Sequence, residues 1–294
     1  MIEGELTIGG FSCNCNAVQA LSDGRLLVLL VCGDQESYVS QIASVSPELL
    51  TITPLFTADT WLLAMHFDEA RGKLFCSTAG GRILEIADQS YSIVAEDLPY
   101  VSGFRSLSSS RLLAFGWHGL VMEFTTGWRR LVTGEKRRIF DLKEHDGEIF
   151  VCGDAGLFGR FADGGVTNLH LQTNTRLRRL CAQEKSMLVF SESPVMFRVA
   201  DGEVESIDLP VAPAWDAVIH RDTLLVGFGY QGLYRFLDPE VEEVSARRAF
   251  HVTPWGDRLA VLADSSLWTL HDGTEQERML QAEFQDMLQR YGLS

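Results

Sequence analysis

Cysteines and long apolar runs are both scarce in this 294-residue sequence. The six cysteines are too few, and too embedded in apolar segments, to form the disulfide framework of a small secreted domain. No segment approaches the roughly 18 consecutive apolar residues of a membrane-spanning helix. The first residues, MIEGELTIGG, also lack the basic and apolar regions of a signal peptide. We therefore expect free thiols, no membrane association and a cytoplasmic location.

Positive charge is scarce as well. The chain has 25 Lys and Arg residues against 40 Asp and Glu residues, which gives a net charge of −15. This balance argues against nucleic acid as a partner, because binding to phosphates requires a basic surface. Residues 129–179 are the exception, with ten basic and seven acidic residues. A basic sector thus interrupts an acidic chain.

Motifs for catalysis or cofactor binding are missing. We find no GxSxG elbow, HExxH pair, Walker loop or EF-hand loop. Gly227–Gly232 formally matches GxGxxG, but Leu233–Phe236 after it has the pattern of a strand, whereas a dinucleotide fingerprint must open a helix. The pair Cys13 and Cys15 has no second pair of ligands at metal-binding spacing. We expect no cofactor and no metal, and the balance favours a protein that is not an enzyme.

A repeated hairpin dominates what is present. Its clearest copy is IFVCGDAGLFGRF, Ile149–Phe161, in which an apolar strand enters a Gly-containing turn and returns as a second strand. The first strand of each copy begins at Leu26, Leu74, Leu112, Ile149, Met187, Leu224 and Leu259. These positions are 48, 38, 37, 38, 37 and 35 residues apart, a period typical of propeller blades. The sequence predicts an all-β, seven-bladed β-propeller domain over residues 1–273.

The two termini complete this prediction. Glu5–Ile8 alternates as a strand before the first repeat, and the last repeat shows no fourth strand after Leu267–Leu270. We expect the N-terminal strand to close the propeller as the outer strand of the last blade, which would remove an open seam. Residues 274–292 begin with the capping-box pattern Thr274–Glu277 and continue with an apolar stripe. They are predicted to form a C-terminal α-helix packed on the propeller.

Polar residues recur in the predicted inner strands. Counting eight residues back from the hairpin positions gives five of them: His66, Asp141, Arg179, Asp216 and His251. Side chains alternate across a strand, so we expect these residues to face a common central channel. They could bind a divalent ion or perform acid–base chemistry. The competing hypothesis is a hydrogen-bonded network that fills the channel.

Arginines lie just before several inner strands, where the connecting loops should share one rim. The set comprises Arg137, Arg138, Arg176, Arg247 and Arg248, with Lys136 and Arg178 beside them. Guanidinium groups suit carboxylates and phosphates, so this rim is a candidate binding surface above the channel residues. Salt bridges to the abundant acidic residues are the alternative.

The hairpins CGDAGLFGRF, AFGWHGLVMEF and GFGYQGLYRF resemble those of seven-bladed, WD-repeat-like β-propellers, over nearly the whole chain. The Gly-His and Trp-Asp signatures of true WD repeats are absent, so no functional residue carries over. The resemblance implies a partner bound on a rim, while a minority of propellers are channel-based hydrolases, lyases or lactonases.

The leading expectation is a monomeric, non-enzymatic protein that binds a protein partner on one rim. A more specific hypothesis is an immunity-type inhibitor of a basic partner, based on the net charge of −15. The alternative is a channel-based enzyme or a receptor for a small anionic ligand.

Overall fold

The computed structural model describes residues 6–34, 36–49, 51–108, 110–162, 165–237 and 240–293. Seven antiparallel sheets follow one another along the chain, each built from strands that are consecutive in sequence. The described residues also form one α-helix, near the C-terminus. The predicted all-β, seven-bladed propeller with a C-terminal helix is confirmed. By contacts the chain divides into two compact units, which are described separately: the described residues up to Glu96 and from Arg248 onwards, and Asp97–Arg247.

The first unit contains blades 1, 2 and 7 and the helix. Blade 1 comprises β1 (Leu6–Ile8), β2 (Phe11–Ala20), β3 (Leu26–Gly33), β4 (Tyr38–Val45) and β5 (Ile52–Ala58). Blade 2 comprises β6 (Leu62–Asp68), β7 (Lys73–Thr78), β8 (Ile83–Ala87) and β9 (Ser90–Ala95). Blade 7 comprises β26 (His251–Trp255), β27 (Arg258–Leu262), β28 (Ser266–His271) and β29 (Thr274–Met279), followed by α1 (Gln281–Arg290).

The second unit contains blades 3 to 6. Blade 3 comprises β10 (Val101–Ser106), β11 (Leu112–Gly116), β12 (Val121–Phe124) and β13 (Trp128–Arg130). Blade 4 comprises β14 (Ile139–His145), β15 (Glu148–Gly153), β16 (Phe158–Ala162) and β17 (Gly165–Asn168). Blade 5 comprises β18 (Leu177–Gln183), β19 (Ser186–Ser191), β20 (Val195–Ala200) and β21 (Glu203–Asp208). Blade 6 comprises β22 (Asp216–His220), β23 (Thr223–Gly227), β24 (Leu233–Phe236) and β25 (Val241–Ser245).

The strand that follows the inner strand in each blade is covered on both faces. Every residue of β11 and β19 is buried, and β3 is buried up to its last residue. A strand that is covered on both faces has a continuous rather than an alternating apolar pattern. The core therefore lies between successive blades of each unit, as in the cluster that joins Phe150 and Phe158 of blade 4 to Leu180 and Val189 of blade 5.

β-bulges recur near the start of the inner strands. The pairing of β14 with β15 skips one residue, Phe140, between Ile139 and Asp141. The same irregularity falls at Ser102 in β10 and at Arg178 in β18. A bulge inserts an unpaired residue and re-aims side chains locally. These three side chains consequently contribute to the surface described below.

The N-terminal strand does not occupy its predicted place. β1 pairs with the inner strand β2 of blade 1, with Leu6 opposite Cys13 and Ile8 opposite Phe11. The cause is the turn between them, because Gly9 and Gly10 both have positive φ (59° and 92°) and a two-residue turn of this kind folds a strand back on its neighbour. Closure of blade 7 by this strand is therefore wrong, and Glu5 lies outside the described residues.

The predicted start of the helix at residue 274 is also wrong. Thr274–Met279 forms β29, the outer strand of blade 7, in which Leu270 of β28 faces Glu275. The local capping-box pattern is overridden because β28 would otherwise present an unpaired edge. The helix begins at Gln281. Four residues of the predicted stripe, Leu280, Phe284, Met287 and Leu288, are buried in the core of the first unit, whereas the fifth, Tyr291, is exposed. No helix among the described residues is long and apolar enough to cross a membrane.

All six cysteines are free thiols and all are buried. Burial raises the pKa of the Cys76 thiol well above its ordinary value, and it raises the pKa of Cys181 to about 11. Because the thiolate is the reactive form, iodoacetamide at about pH 8 should modify the folded protein very slowly. After denaturation without reductant, mass spectrometry should find six modified cysteines. Fewer than six would contradict the free-thiol assignment.

Candidate functional site

Aromatic residues and arginines occupy one recurring position in the second unit, directly before the inner strand of each blade. Tyr100 precedes β10, Arg138 precedes β14, Arg176 precedes β18 and Trp215 precedes β22. In three blades the carbonyl of this residue accepts a hydrogen bond from the turn that follows the second strand. The pairs are Trp117 N to Tyr100 O at 2.8 Å, Asp154 N to Arg138 O at 3.0 Å, and Glu192 N to Arg176 O at 2.9 Å. The repeat thus holds these residues and their turns on the same edge of each blade.

Arg138 lies at the centre of this edge. Its guanidinium carbon is 4.2 Å from the ring centroid of Phe140, 5.3 Å from that of Trp117 and 5.5 Å from that of Tyr100. Its Nε donates a hydrogen bond to Ser102 Oγ at 3.2 Å. Two of these partners, Phe140 and Ser102, are the bulged residues of their strands. Each cation–π contact contributes about 0.5–1 kcal/mol at an exposed site, so the contacts together fix the position of the guanidinium.

Arg176 and Arg178 extend the edge towards blade 6. The Arg176 guanidinium lies 5.2 Å from the Phe140 ring centroid, and that of Arg178 lies 4.5 Å from the Trp215 ring centroid. Glu192 accepts hydrogen bonds from both arginines, at 2.8 Å from Arg176 Nη1 and 3.0 Å from Arg178 Nε. We call the whole set the arginine–aromatic surface. Its members are Tyr100, Ser102, Trp117, Arg138, Phe140, Arg176, Arg178 and Trp215.

The arginines of this surface differ in their electrostatic environment. The hydrogen bond that Arg176 Nε donates to the Asp154 carboxylate outweighs partial burial and raises the pKa of Arg176. Arg138 is half-buried, and among the described residues it has no ion pair. Burial lowers the pKa of Arg138, and the positive charges of Arg176 and Arg178 add to that effect against the opposing influence of Tyr100 and Asp154. Arg138 is therefore the least neutralised cation of the surface.

The other predicted rim arginines are paired elsewhere. Arg137 forms an ion pair with Glu135 at 2.6 Å, and Arg248, in the first unit, forms one with Asp264 at 2.8 Å. The backbone N–H of Arg247 donates to Ser245 Oγ at 3.2 Å. Of the five predicted rim arginines, the structure brings together Arg138 and Arg176, which both contact Phe140.

Three predicted channel residues form one ion-pair network around the buried Asp141 carboxylate in the second unit. Asp141, with a side chain only 1% exposed, accepts a hydrogen bond from Arg105 Nη2 at 2.8 Å and lies 4.0 Å from Arg179 Nη1. Arg179 Nε lies 3.3 Å from Asp216 Oδ1. Backbone N–H groups of Leu142 and Leu180 also donate to the Asp141 carboxylate, at 2.9 and 3.0 Å. Two arginines and two aspartates thus balance one another, which is the arrangement expected of structural ion pairs.

The two histidines lie in the first unit, at different positions of their strands. His251 pairs with Leu262, the same register that Asp141 has with Cys152. His66 instead pairs with Phe75 and lies two residues further along its strand. The β6–β7 turn has four residues between the paired Asp68 and Lys73, whereas the β14–β15 turn has two, so a count of eight residues misaligns blade 2. Convergence of all five polar residues on one axis stays a prediction.

Three cavities lie away from the predicted residues. Two of them, of about 470 and 450 Å³, share Glu148 and Arg160 in blade 4, and another of about 640 Å³ lies between blades 1 and 2. None of these three is lined by a predicted rim or channel residue. Among the residues that the structure describes, no three His, Cys, Asp or Glu side chains are placed to hold a metal ion. The candidate site is accordingly an open surface.

Sequence reasoning missed most of the aromatic half of this surface and also Arg105. A signal was available, because the residue before the inner strand is aromatic or arginine in six blades. These residues are Trp61, Tyr100, Arg138, Arg176, Trp215 and Phe250. Their distance from the hairpin positions varies from blade to blade with the bulges and turn lengths, which hides the pattern in an ungapped comparison.

Comparison with known proteins supports the fold but assigns no specific function. No family model matches the sequence, and no curated protein matches it. The WD40 β-propeller domain of Doa1 superposes with a TM-score of 0.70 at 11% identity, over 86% of this chain and 91% of that one. YCF48, solved bound to a D1 peptide, superposes with a TM-score of 0.64 at 12% identity, over 88% of this chain and 96% of that one. BBS1N, solved in complex with ARL6DN, superposes with a TM-score of 0.59 at 15% identity, over 91% of this chain and 92% of that one. The chain is a seven-bladed β-propeller of WD40-like architecture.

Proposed function

We propose that this protein is a non-enzymatic interaction protein that binds a protein partner through the arginine–aromatic surface. The observation that carries the proposal is the continuous contact of three arginines with four aromatic rings along one edge of blades 3 to 6. Trp, Tyr and Arg are the residues most enriched among the hot spots of protein interfaces.

The surface has the two properties that a binding site needs, accessibility and rigidity. Trp117 is 42% exposed although its ring contacts Arg138. Arg176 is also exposed, and its side chain is held in place by ion pairs to Asp154 and Glu192, both at 2.8 Å. Side chains that are already ordered lose little conformational entropy when a partner binds. Such a surface favours recognition over catalysis.

The channel residues offer less support for the enzymatic alternative. Asp141 is buried and neutralised by Arg105 and Arg179, so it is poorly suited to exchange protons with a substrate. Two of the similar propellers were solved with a bound polypeptide, one a D1 peptide and the other ARL6DN. This likeness makes a polypeptide partner the natural first candidate.

Fewer observations support the more specific hypotheses about the role, the oligomeric state and the location of the protein. An immunity-type role depends on the net charge of −15 alone. The arginine–aromatic surface would itself favour an acidic or aromatic segment, so a basic partner would have to contact another face. A monomeric state and a cytoplasmic location are consistent with the proposal and stay predictions.

Peptide display tests the proposal without a known partner. Wild-type protein and the double variant Trp117→Ala with Arg178→Gln would be panned against the same random peptide library. We expect wild-type protein to enrich peptides that the variant binds at least about tenfold more weakly, because each hot-spot truncation costs about 2 kcal/mol or more. Calorimetry on the selected peptides gives the affinities.

The matched control is Tyr91→Ala with Arg235→Gln. It also removes an exposed aromatic residue and an ion-paired arginine, but from the outer strand of blade 2 and the third strand of blade 6. The control should bind the selected peptides like the wild type. Equal affinity of all three proteins would reject the arginine–aromatic surface as the binding site.

A further inference from the structure

Charge on the arginine–aromatic surface is not balanced. Arg176 is paired with Asp154 and Glu192, and Arg178 is paired with Glu192. With Arg138 the surface holds three guanidinium groups but only two carboxylates in ion pairs with them. One positive charge is left over, and it belongs to Arg138.

The surroundings of Arg138 make this excess charge costly. The guanidinium is half-buried against Phe140, Trp117 and Tyr100, so it has lost part of its hydration. A buried charge normally acquires an opposite charge or enough hydrogen bonds to replace the lost water. Arg138 has one side-chain hydrogen bond, from Nε to Ser102 Oγ.

The contacts of Arg138 also define which of its atoms are available. Its guanidinium lies over the ring of Phe140, with 4.2 Å between its central carbon and the ring centroid. Nε is occupied by Ser102, and among the described residues neither Nη atom has a hydrogen-bond partner. Two adjacent N–H donors on a planar, fixed group match the two oxygens of a carboxylate or the oxygens of a phosphate.

We infer that Arg138 is an oxyanion-binding subsite, which accepts a carboxylate or phosphate group of the partner between its two Nη atoms. The inference rests on the proposed function and adds the chemistry of the contact. Ser102 and Phe140 act as positioning residues that hold the guanidinium in place. Arg176 and Arg178 keep their own carboxylates and contribute their positive field. The exposed ring of Trp117 would cover the atoms next to the anion.

Small anions test the subsite directly. Acetate and inorganic phosphate would each be titrated into ¹⁵N-labelled wild-type protein at constant ionic strength, while the arginine Nε–Hε signals are followed by NMR. We expect the Arg138 signal to shift saturably with at least one anion. The Arg138→Gln variant lacks this signal, so its anion binding is followed through the neighbouring Arg176 and Arg178 signals. It should bind at least about tenfold more weakly, since one charge-assisted hydrogen bond is worth about 1.5–3 kcal/mol.

Variants with smaller changes separate recognition from folding. Arg138→Lys keeps the charge but loses the two-pronged geometry, so binding should also weaken. Ser102→Ala leaves Arg138 intact and removes only its Nε acceptor, so a partial weakening is expected even if the Arg138 variants fold poorly. Arg235→Gln is the control and should bind both anions like the wild type.

Each outcome of the titration decides something. Saturation by acetate alone assigns a carboxylate of the partner, and saturation by phosphate alone assigns a phosphoryl group. Saturation by both supports the subsite with either source. An unshifted Arg138 signal with both anions overturns the inference. The oxyanion subsite and the proposed function can fail separately. Displayed peptides that lack acidic groups but still require Trp117 and Arg178 would support the binding surface and contradict the oxyanion subsite.

Discussion

Replacing Asp141 with asparagine should destabilise the protein by about 3–5 kcal/mol, the usual cost of removing one partner from a buried ion pair. The Asp141 side chain is 1% exposed and lies between Arg105 and Arg179. Asparagine keeps only one of the two oxygens that accept hydrogen bonds from the N–H groups of Leu142 and Leu180, puts an NH₂ donor in place of the other, and supplies no negative charge. Arg179 would then keep a single carboxylate neighbour, Asp216.

Urea denaturation at neutral pH measures this loss, as the change in the free energy of unfolding between wild-type and variant protein. Asp208→Asn is the matched control, because it makes the same chemical change at an exposed position. The free energy of unfolding of the control should lie within about 0.5 kcal/mol of the wild-type value. A loss below about 1 kcal/mol for Asp141→Asn would show that the network does not stabilise the fold.

Acidic pH should reduce the difference in the free energy of unfolding between the wild-type protein and Asp141→Asn. Burial raises the pKa of Asp141, but the opposing effects of Arg105 and Arg179 and the hydrogen bond from Leu180 are together larger, so the pKa is lowered overall. A lowered pKa in the folded state means that the ionised carboxylate stabilises the protein above its unfolded pKa of about 3.9. This stabilisation is lost as the pH falls through the still lower pKa of the folded state.

The free-energy difference between wild-type protein and Asp141→Asn should consequently be constant from about pH 7 to pH 5 and should narrow below about pH 4. Chemical denaturation at a series of pH values measures it. Other carboxylates with lowered pKa, such as Glu123 and Glu192, affect both proteins equally and cancel in the difference. A difference that grows on acidification would contradict this account.

The repeat made the architecture predictable. Each blade must bury a strand on both faces, so the apolar run and the Gly-containing turn recur, and seven copies were visible without any alignment. The termini were harder because their signals are local. Thr274–Glu277 matches a helix cap in isolation, yet the segment pairs with β28 as β29. Pairing with the neighbouring strand decided this case, and a short helix-cap pattern carries no information about such pairing.

The site was only half predictable for a similar reason. Arg138 and Arg176 stand out as charges, but Phe140 has the appearance of a core residue in an apolar strand. A bulge that skips Phe140 in the pairing of β14 with β15 turns it towards Arg138. One extra residue in a strand changes the face on which a side chain lies. Simple alternation therefore cannot place such residues. The longer β6–β7 turn has a different effect, because it moves His66 two residues along its strand.

Truncating Phe284 to alanine is the second change with a large expected effect, a loss of about 3–5 kcal/mol in the free energy of unfolding. Phe284 is fully buried in α1 with Met287 and Leu288, within a core that also contains Leu26 and Leu262 from blades 1 and 7. Removing the ring leaves a cavity that a helix held by strands on two blades cannot easily close.

Gln285→Ala, on the exposed side of the same helix, controls for helix propensity and should be nearly neutral. Thermal and urea unfolding measure both variants, and a Phe284→Ala protein as stable as the control would mean that α1 is not part of the folded core.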